Sequence, residues 1–192
     1  MFLLETERLL IRNWRDEDRN LFREINRDPK VMEFFPWRRT YEEADAMLER
    51  LRTMIEETGL GFYALEEKES GEPVGFCGIG PASISPVMPE ETIEIGWRLA
   101  TRYWGKGYAT EAAQAVLKYA FEDRRLDAVL SFAVAENTRS TAVMRRIGLR
   151  RLAILDFDHP RVPDTHPHLK RHVVYGLTRD AYLEGREDSP FP

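Results

Sequence analysis

The residues whose types and spacing best suit chemistry lie in one passage, residues 94–112. Its alternating first part predicts a β-strand, and a glycine-punctuated loop then leads directly into a helical pattern. A helix N-terminus presents unpaired backbone N–H groups and the positive end of the helix dipole. Gly105 and Gly107 allow the backbone to approach a ligand, while Arg102 and Lys106 add positive charge. The passage therefore predicts a site for a phosphate group.

The same loop has a simpler interpretation, because glycines before a helix often form only a tight turn. The loop is not a Walker A motif, since Gly107 follows Lys106 where Ser or Thr would hold magnesium. It is also not the Gly-x-Gly-x-x-Gly pattern of dinucleotide-binding proteins, because position 110 is Thr. The residues alone leave the phosphate site and the tight turn open.

The histidines and the cysteine do not form a metal-binding pattern. The four histidines are His159, His166, His168 and His172. Residues 164–168 lie in a Pro-rich loop without a defined ligand geometry, so no metal is expected. Cys77 is the only cysteine, which excludes an intramolecular disulfide, and its apolar strand context predicts a core residue rather than a nucleophile.

The elements that position this passage follow the order strand, two helices, three strands, helix, strand, helix and two strands. The alternating run Leu10, Arg12 and Trp14, with which residues 3–14 end, predicts the first strand. Further strands are predicted at residues 62–65, 73–79, 92–100, 128–134, 152–157 and 172–177. Helices are predicted from residue 15, from residue 40, over 108–121 and over 138–147. The nearly all-apolar run 128–134 is typical of a strand covered on both faces, which belongs in the middle of a sheet. The order predicts a mixed sheet of about seven strands with helices on its faces.

Local signals set several of these boundaries. Thr40 and Glu43 have the spacing of a capping box at a helix start. Asn137 is placed to cap the helix over 138–147, and Gly148 to close it in a left-handed conformation. Gly96, inside the strand 92–100, predicts a bulge or a close backbone approach.

Length and composition narrow the class of protein. A chain of 192 residues with 43% hydrophobic residues predicts one globular domain with a full core. The formal charge of −5 does not suggest a nucleic-acid-binding face. Apolar stretches are too short for a membrane span, and the acidic start lacks the positive charge of a secretory signal, so a cytoplasmic protein is expected. The tail 183–192 is expected to be disordered.

The motif Arg102-x-x-Gly105-x-Gly107-Tyr-Ala109 resembles the acetyl-CoA pyrophosphate loop of the GNAT superfamily, which reads Gln/Arg-x-x-Gly-x-Gly/Ala. Residues 6–12 resemble the opening strand of the RimJ/RimL-like branch, and Asn137-x-x-Ser140 with Gly148-Leu149 resembles its later CoA-side helix. The resemblance spans residues 3 to about 178 in the same element order. It implies an α/β (α+β) acyl-CoA N-acyltransferase fold, with a mixed seven-stranded sheet, splayed central strands and flanking helices, in one domain over residues 1–182.

The resemblance also implies acetyl-CoA as cosubstrate and a set of residues that bind it. In the family, the pantetheine arm bonds to exposed backbone of the strand that matches 93–100, and amides near Ile95 to Trp97 act as an oxyanion hole. Asn137 matches the residue that contacts the arm. The implied cofactor-binding residues are Ile95, Trp97, Leu99, Arg102, Trp104, Gly105, Lys106, Gly107, Tyr108, Ala109, Thr110, Asn137, Ser140 and Met144.

Three residues are candidates for the general base. Glu94 shares one strand face with Gly96 and Arg98 by alternation, and many family members use a strand Glu there; its alternative is a surface cross-strand pair. His159 lies near the position of a base in RimL-like enzymes, and its alternative is a packed loop residue. Asp158 is the third candidate and is intrinsically more acidic.

The acid candidate is Ser140, because the helix 138–147 lacks the tyrosine that many family members use there. Ser140 matches a hydroxyl proposed for that role in RimL-like members, and its alternative is helix capping. A small basic cluster, Arg145-Arg146 and Arg150-Arg151, could meet the 3′-phosphate of CoA or solvate a helix end.

The implied activity is direct acetyl transfer from acetyl-CoA to a primary amine in a ternary complex, without a covalent enzyme intermediate. The acceptor is expected to be a protein N-terminus or a small cationic amine, in a pocket framed by residues 29–40 and 156–171. The protein is expected to be a monomer or homodimer without nucleic-acid or membrane partners. The alternatives are a non-catalytic CoA-binding sensor or scaffold of the same fold, and an enzyme for longer acyl chains.

Overall fold

The computed structural model describes residues 2–84 and 86–185. Within them lie the strands β1 (Phe2–Glu5), β2 (Leu9–Arg12), β3 (Gly61–Glu67), β4 (Pro73–Pro81), β5 (Ile93–Leu99), β6 (Ala128–Val134), β7 (Arg150–Arg151), β8 (Phe157–Asp158) and β9 (Arg171–Thr178). The α-helices are α1 (Arg19–Ile25), α2 (Tyr41–Thr58), α3 (Tyr108–Lys118), α4 (Thr138–Arg146) and α5 (Arg179–Glu184). Short 3-10 turns lie at Asp16–Asp18, Thr101–Tyr103, Ala153–Leu155 and Pro167–Leu169, and a π-helical turn at Tyr119–Asp123. No helix in this part of the chain is long and apolar enough to cross a membrane.

The strands form a mixed sheet in the order β1-β2-β3-β4-β5-β6-β9-β7, with β8 paired to β9. The pairs β1–β2, β2–β3 and β3–β4 are antiparallel, β5 and β6 are parallel, and β6 is antiparallel to β9. The predicted mixed sheet is therefore confirmed, and β6 lies in its interior as expected for an all-apolar strand.

The chain folds as two compact units. The first contains the chain up to Gly80 together with Gly96–Val116, and the second contains Pro81–Ile95 together with the chain from Leu117 onward. β5 contributes to both, because Ile95 and Gly96 fall on either side of the division.

The parallel strands β5 and β6 share one paired position, Glu94 opposite Leu130. β6 and β9, in contrast, pair continuously from Ala128 opposite Thr178 to Val134 opposite His172. Such limited pairing between β5 and β6 is what splayed central strands require, because strands that diverge cannot continue a hydrogen-bond ladder.

The predicted helix caps are confirmed. Thr40 Oγ1 accepts from the Glu43 N–H at 3.2 Å, and Glu43 Oε2 accepts from the Thr40 N–H at 2.8 Å. Asn137 caps α4 through its side chain, and Gly148 follows that helix with φ +88°.

Two glycines of β4 allow neighbouring backbones to approach. A Cβ at Gly78 would lie 1.9 Å from the Gly61 oxygen, and one at Gly75 would lie 2.3 Å from the Arg98 oxygen. At Gly96 an added Cβ would meet the Phe62 ring at 3.1 Å, so the close approach predicted there involves a side chain.

The first strand, predicted for the run that ends residues 3–14, is confirmed as β2, but β1 and the turn between the two strands were not predicted. At this turn the Thr6 N–H donates to the Leu9 oxygen at 2.9 Å, and the Leu9 N–H donates to Thr6 Oγ1 at 3.0 Å. The turn contains no Gly, Pro, Asn or Asp, so the usual sequence signals for a break are missing.

The prediction of a strand over residues 152–157 is wrong. Residues Ala153–Leu155 form a 3-10 turn between the two-residue strands β7 and β8, and Ile154 is 95% exposed. The described sheet therefore has nine strands rather than seven. The predicted disordered tail begins too early, since Leu183 and Glu184 complete α5. Its remaining residues, 186–192, lie outside the described residues.

Candidate active site

The predicted phosphate loop connects the turn Thr101–Tyr103 to α3. Gly105 has φ +76° and Gly107 has φ +85°, a left-handed conformation that L side chains adopt only with strain. Nothing would obstruct a Cβ at Gly105, so the backbone angle rather than space favours glycine there. The loop delivers the chain directly to the N-terminus of α3, as predicted.

The side chains of Arg8 and Glu111, which come from opposite ends of the first unit's sequence, hold this loop in place. Glu111, in the first turn of α3, accepts from Thr6 Oγ1 at 2.6 Å and from the Arg8 N–H and Nε at 2.9 and 2.7 Å. Arg8 Nη1 also donates to the Lys106 carbonyl at 2.9 Å, and its guanidinium lies 4.7 Å from the Tyr108 ring centroid. The β1–β2 turn thus holds both the loop and the helix start.

The positive side chains of the loop have acidic neighbours. Arg102 forms an ion pair with Glu24, and Lys106 Nζ lies 3.9 Å from Glu67 Oε1. The Tyr108 hydroxyl donates to the same Glu67 carboxylate, and this hydrogen bond lowers the pKa of Glu67. A phosphate ligand would compete with these carboxylates for both cations.

The cofactor residues predicted on β5 differ in exposure. The side chains of Ile95 and Leu99 are buried, and Trp97 is half-buried. Trp104 Nε1 donates to the Leu99 carbonyl at 2.8 Å, which attaches the loop to the end of β5. Only the backbone of Ile95 and Leu99 is therefore suited to ligand contact.

Glu94, on the part of β5 that belongs to the second unit, is half-buried. Burial raises the pKa of its carboxyl to about 8, and the positive charge of Arg161 opposes this rise. A carboxylate with a raised pKa is a stronger base when it is ionised, so the environment suits proton transfer near neutral pH.

The N-terminus of α4 brings Asn137 and Ser140 together. Asn137 Oδ1 accepts from the Ser140 backbone N–H at 3.1 Å, so Asn137 is the cap and the Ser140 hydroxyl is not used for capping. Thr141 and Met144 lie on the buried face of this helix, and Met144 is 1% exposed. The side chain predicted at Met144 to contact the cofactor is thus a core residue in this structure.

His159 differs from Glu94 as a candidate base. Its Nδ1 accepts from the Arg161 N–H at 3.2 Å, and its ring centroid lies 4.9 Å from that of His172. Burial, followed by the charges of His172 and Arg161, lowers the pKa of His159 to about 4. The imidazole is therefore neutral at pH 7 but weakly basic. Asp158 is exposed and lies 3.5 Å from Arg171.

Two arginines of the predicted basic cluster have structural partners. Arg145 donates to the Tyr175 hydroxyl at 3.2 Å, and Arg151 forms an ion pair with Asp156. Cys77 is fully buried, as predicted. Across the described ranges, no three His, Cys, Asp or Glu side chains are grouped as a metal site would require.

Sequence reasoning missed the roles of Arg8, Glu111 and Arg98. Arg8 and Glu111 are separated by more than a hundred residues, and nothing in a single sequence pairs them. Arg98 was visible only through its alternation with Glu94 on β5, but its partners come from α1 and from the loop after it.

Known proteins resemble this chain in sequence and in fold. A sequence model described as "Acetyltransferase (GNAT) domain" matches residues 8–150. The uncharacterized N-acetyltransferase YnaD of Bacillus subtilis (strain 168) is 34% identical over 149 residues, 77% of this chain and 82% of that protein. The FsC-acetyl coenzyme A-N(2)-transacetylase of Aspergillus fumigatus is 28% identical over 191 residues, 97% of this chain and 80% of that protein.

A solved GNAT-family acetyltransferase from Bacillus anthracis superposes with a TM-score of 0.76 at 28% identity, covering 94% of this chain and 99% of the other. The family match extends from Arg8 to Arg150. This range includes the glycine loop, the Arg8 and Glu111 side chains that hold it, and α4. The chain therefore belongs to the GNAT acetyltransferase family.

Proposed function

We propose that this acetyltransferase moves the acetyl group of acetyl-CoA directly to a primary amine in a ternary complex. The observation that carries the proposal is the glycine loop, whose left-handed Gly105 and Gly107 lead into the N-terminus of α3. Backbone N–H groups and the helix dipole at such a terminus bind pyrophosphate well. The name of the Aspergillus fumigatus relative describes the same chemistry, acetyl transfer from coenzyme A to nitrogen.

The cofactor would be held by three parts of the chain. Residues 104–110 would bind the pyrophosphate through backbone N–H groups, with Arg102 and Lys106 adding charge. The backbone of residues 95–99 would bond to the pantetheine arm, and its amides would stabilise the oxyanion that forms on the thioester carbonyl. Asn137 and Ser140 would contact the arm from α4.

The chemistry requires a neutral amine and a leaving thiolate. The amine nitrogen attacks the thioester carbonyl, the C–S bond breaks, and the ammonium proton must leave while sulfur gains one. At pH 7 a lysine amine is neutral about once in 2,500 molecules, whereas an α-amine is neutral about once in seven. The choice of acceptor therefore decides how strong a base the enzyme needs.

Glu94 is our proposed general base and Ser140 our proposed acid. The raised pKa of Glu94 supports its role, because the ionised carboxylate can take a proton from an ammonium near neutral pH. The lowered pKa of His159 makes it the weaker base of the two. The Ser140 hydroxyl remains available because Asn137 supplies the helix cap.

The acceptor is proposed to be a protein N-terminal amine or a small amine. The residues Thr6 to Arg12 and the Asn137-x-x-Ser140 motif support placement in the RimJ/RimL-like branch, which acetylates N-terminal amines of ribosomal proteins. We further propose a single cytoplasmic domain that acts as a monomer or homodimer.

Thiol release from acetyl-CoA, measured across a panel of amines and peptides, tests the proposal. We expect amine-dependent release in the wild type, and loss of CoA binding in Gly107→Val, because valine is strained at φ +85°. Gly71→Ala, at a left-handed glycine in the β3–β4 turn, is the matched control and should bind CoA normally. Tight CoA binding without amine-dependent release would overturn the proposal and favour a non-catalytic sensor.

A further inference from the structure

Arg98, near the end of β5, is a half-buried arginine without a carboxylate partner among the described residues. Its Nη1 donates to Asn26 Oδ1 at 2.7 Å, a neutral acceptor. The guanidinium carbon lies 4.4 Å from the Phe35 ring centroid and 5.3 Å from that of Phe76. The cation is thus fixed between two aromatic rings and one amide, and its charge is not neutralised.

Two other arginines of the first unit that are not exposed have acidic partners. Arg12 bonds to both carboxylate oxygens of Asp18 at 2.6 and 2.8 Å and to Glu66 at 2.6 Å. Arg23 forms an ion pair with Asp45. Burying a cation without such a partner costs free energy, so its retention at position 98 needs an explanation.

The surroundings of Arg98 add positive rather than negative charge. Burial and, to a smaller extent, the charge of Arg39 together lower the pKa of Arg98 to about 10. Arg39 is held nearby because its N–H donates to the Asn26 carbonyl at 3.1 Å. An anion entering this region would relieve the repulsion between the two guanidinium groups.

The guanidinium also has donors that are neither hydrogen-bonded nor fully buried. Within the described residues, Arg179 Nε is the one buried side-chain nitrogen or oxygen without a hydrogen-bond partner. The unbonded nitrogens of Arg98 are therefore accessible to solvent, although the side chain as a whole is half-buried. Phe35, which covers one face of the guanidinium, is 44% exposed.

We propose that Arg98 binds a carboxylate group of the acceptor, so that the acetylated amine belongs to a molecule that also carries an acid. This inference rests on the proposed acetyl transfer to an amine. The planar fork of a guanidinium matches a carboxylate bidentately, and its orientation is set in advance by Asn26 and the two rings. Arg98 lies on the strand of Glu94, four residues later.

Matched acid and amide acceptors test the preference. The panel contains glycine, β-alanine and γ-aminobutyrate, each beside its carboxamide, and peptides that differ only in Asp or Asn at the second residue. We expect kcat/KM for at least one acid to exceed that of its amide by about tenfold or more, as for a hydrogen bond to a charged group. The amides have the less basic amines, so amine ionisation at pH 7 favours the amide and cannot produce this result. The pair with the largest ratio distinguishes a small amino acid from a peptide acceptor.

Two variants assign the preference to this guanidinium. Arg98→Met should reduce the acid-to-amide ratio to about one. Asn26→Asp places an internal carboxylate against Arg98 and should reduce the same ratio, although it also removes the hydrogen bond from Asn26 Nδ2 to the Phe22 carbonyl. Arg50→Met removes an exposed charge of α2 and is the control that should keep the wild-type ratio.

The results separate this inference from the function on which it rests. Amine-dependent thiol release with no acid preference in any pair would overturn the role of Arg98 and leave acetyl transfer standing. The same holds if Asn26→Asp keeps the full preference, since Arg98 would then be structural. Absence of thiol release with every acid and every amide would instead overturn the proposed function. If Arg98→Met does not fold, the acid-to-amide ratios of Asn26→Asp and Arg98→Lys still test whether Arg98 binds the carboxylate.

Discussion

Glu94 shows how one residue's surroundings can create chemistry that its type alone does not predict. The sequence identified it as a candidate base by its place on a strand, and left a surface pair as the alternative. The structure places it in a half-buried position where burial raises its pKa to about 8. A pKa depends on the groups brought near by folding, so the sequence could supply the candidate but not the shift.

The raised pKa of Glu94 predicts a pH dependence of stability. Between pH 4.5 and about 8 the folded protein holds a proton that the unfolded chain has released, so the free energy of unfolding falls as pH rises through this range. In Glu94→Gln this decline should be absent. We expect the variant to match the wild type at pH 4 and to be more stable by at least about 1 kcal/mol at pH 9.

Urea unfolding at a series of pH values measures this difference. Glu90→Gln, which neutralises an exposed carboxylate of the preceding loop, is the control. If Glu94→Gln and wild type keep parallel stability curves up to pH 9, the carboxyl is not protonated in the folded state and the argument for its role as base loses its basis.

At the scale of elements, sequence patterns succeeded where one local rule was sufficient. α3, the capping box of α2 and the apolar strand β6 were all predicted from nearby residues. The segment 152–157 failed because its apolar run suggested a strand, whereas Ile154 is fully open to solvent on a 3-10 turn. The β1–β2 turn was not predicted, because its partner, Glu111, comes from a distant part of the chain.

The clamp formed by Arg8 and Glu111 predicts an effect on cofactor affinity. Glu111→Gln keeps the shape of the side chain but removes the ion pair, whose atoms approach to 2.6 Å. The loop should then populate other conformations, and KM for acetyl-CoA should rise roughly three- to tenfold, equivalent to about 1 kcal/mol. The value of kcat should change little, because neither residue reaches the reacting atoms in the proposed complex.

Steady-state kinetics at saturating acceptor separates KM from kcat for this variant. Lys118→Gln breaks an exposed ion pair with Glu122 at the other end of the same helix and serves as the control. An unchanged KM in Glu111→Gln, or an equal rise in the control, would show that the clamp does not position the loop.

For the whole molecule, the number of domains is open to direct measurement. The chain folds as two compact units, but β5 contributes residues to both, so we expect one cooperative unfolding transition. The four tryptophans, Trp14, Trp37, Trp97 and Trp104, all belong to the first unit. Tryptophan fluorescence therefore follows that unit alone, whereas far-UV circular dichroism follows both.

The two signals should give the same midpoint in denaturant. Val174→Ala, which removes a fully buried side chain of the second unit, should destabilise the protein by about 2 kcal/mol and shift both signals equally. A shift seen by circular dichroism but not by fluorescence would mean that the units unfold independently and that the single-domain prediction is wrong.

The family and the cofactor loop could be predicted from the sequence because a short contiguous motif encodes them, Arg102 to Ala109. The proposed anion site at Arg98 could not, because it depends on Asn26 and Phe35, which lie between α1 and α2. The burial of Met144 could not be predicted for a similar reason, since the helical pattern alone did not show which neighbours cover it.

The burial of Cys77 makes the folded protein unreactive toward thiol reagents. Its side chain is fully buried and burial raises its pKa, so the reactive thiolate is suppressed while the protein is folded. A disulfide dye added during turnover would report only the coenzyme's sulfur, with no background from the enzyme. In denaturant the same dye would report the rate of unfolding, because the chain's one cysteine would be labelled when the strand around it opened.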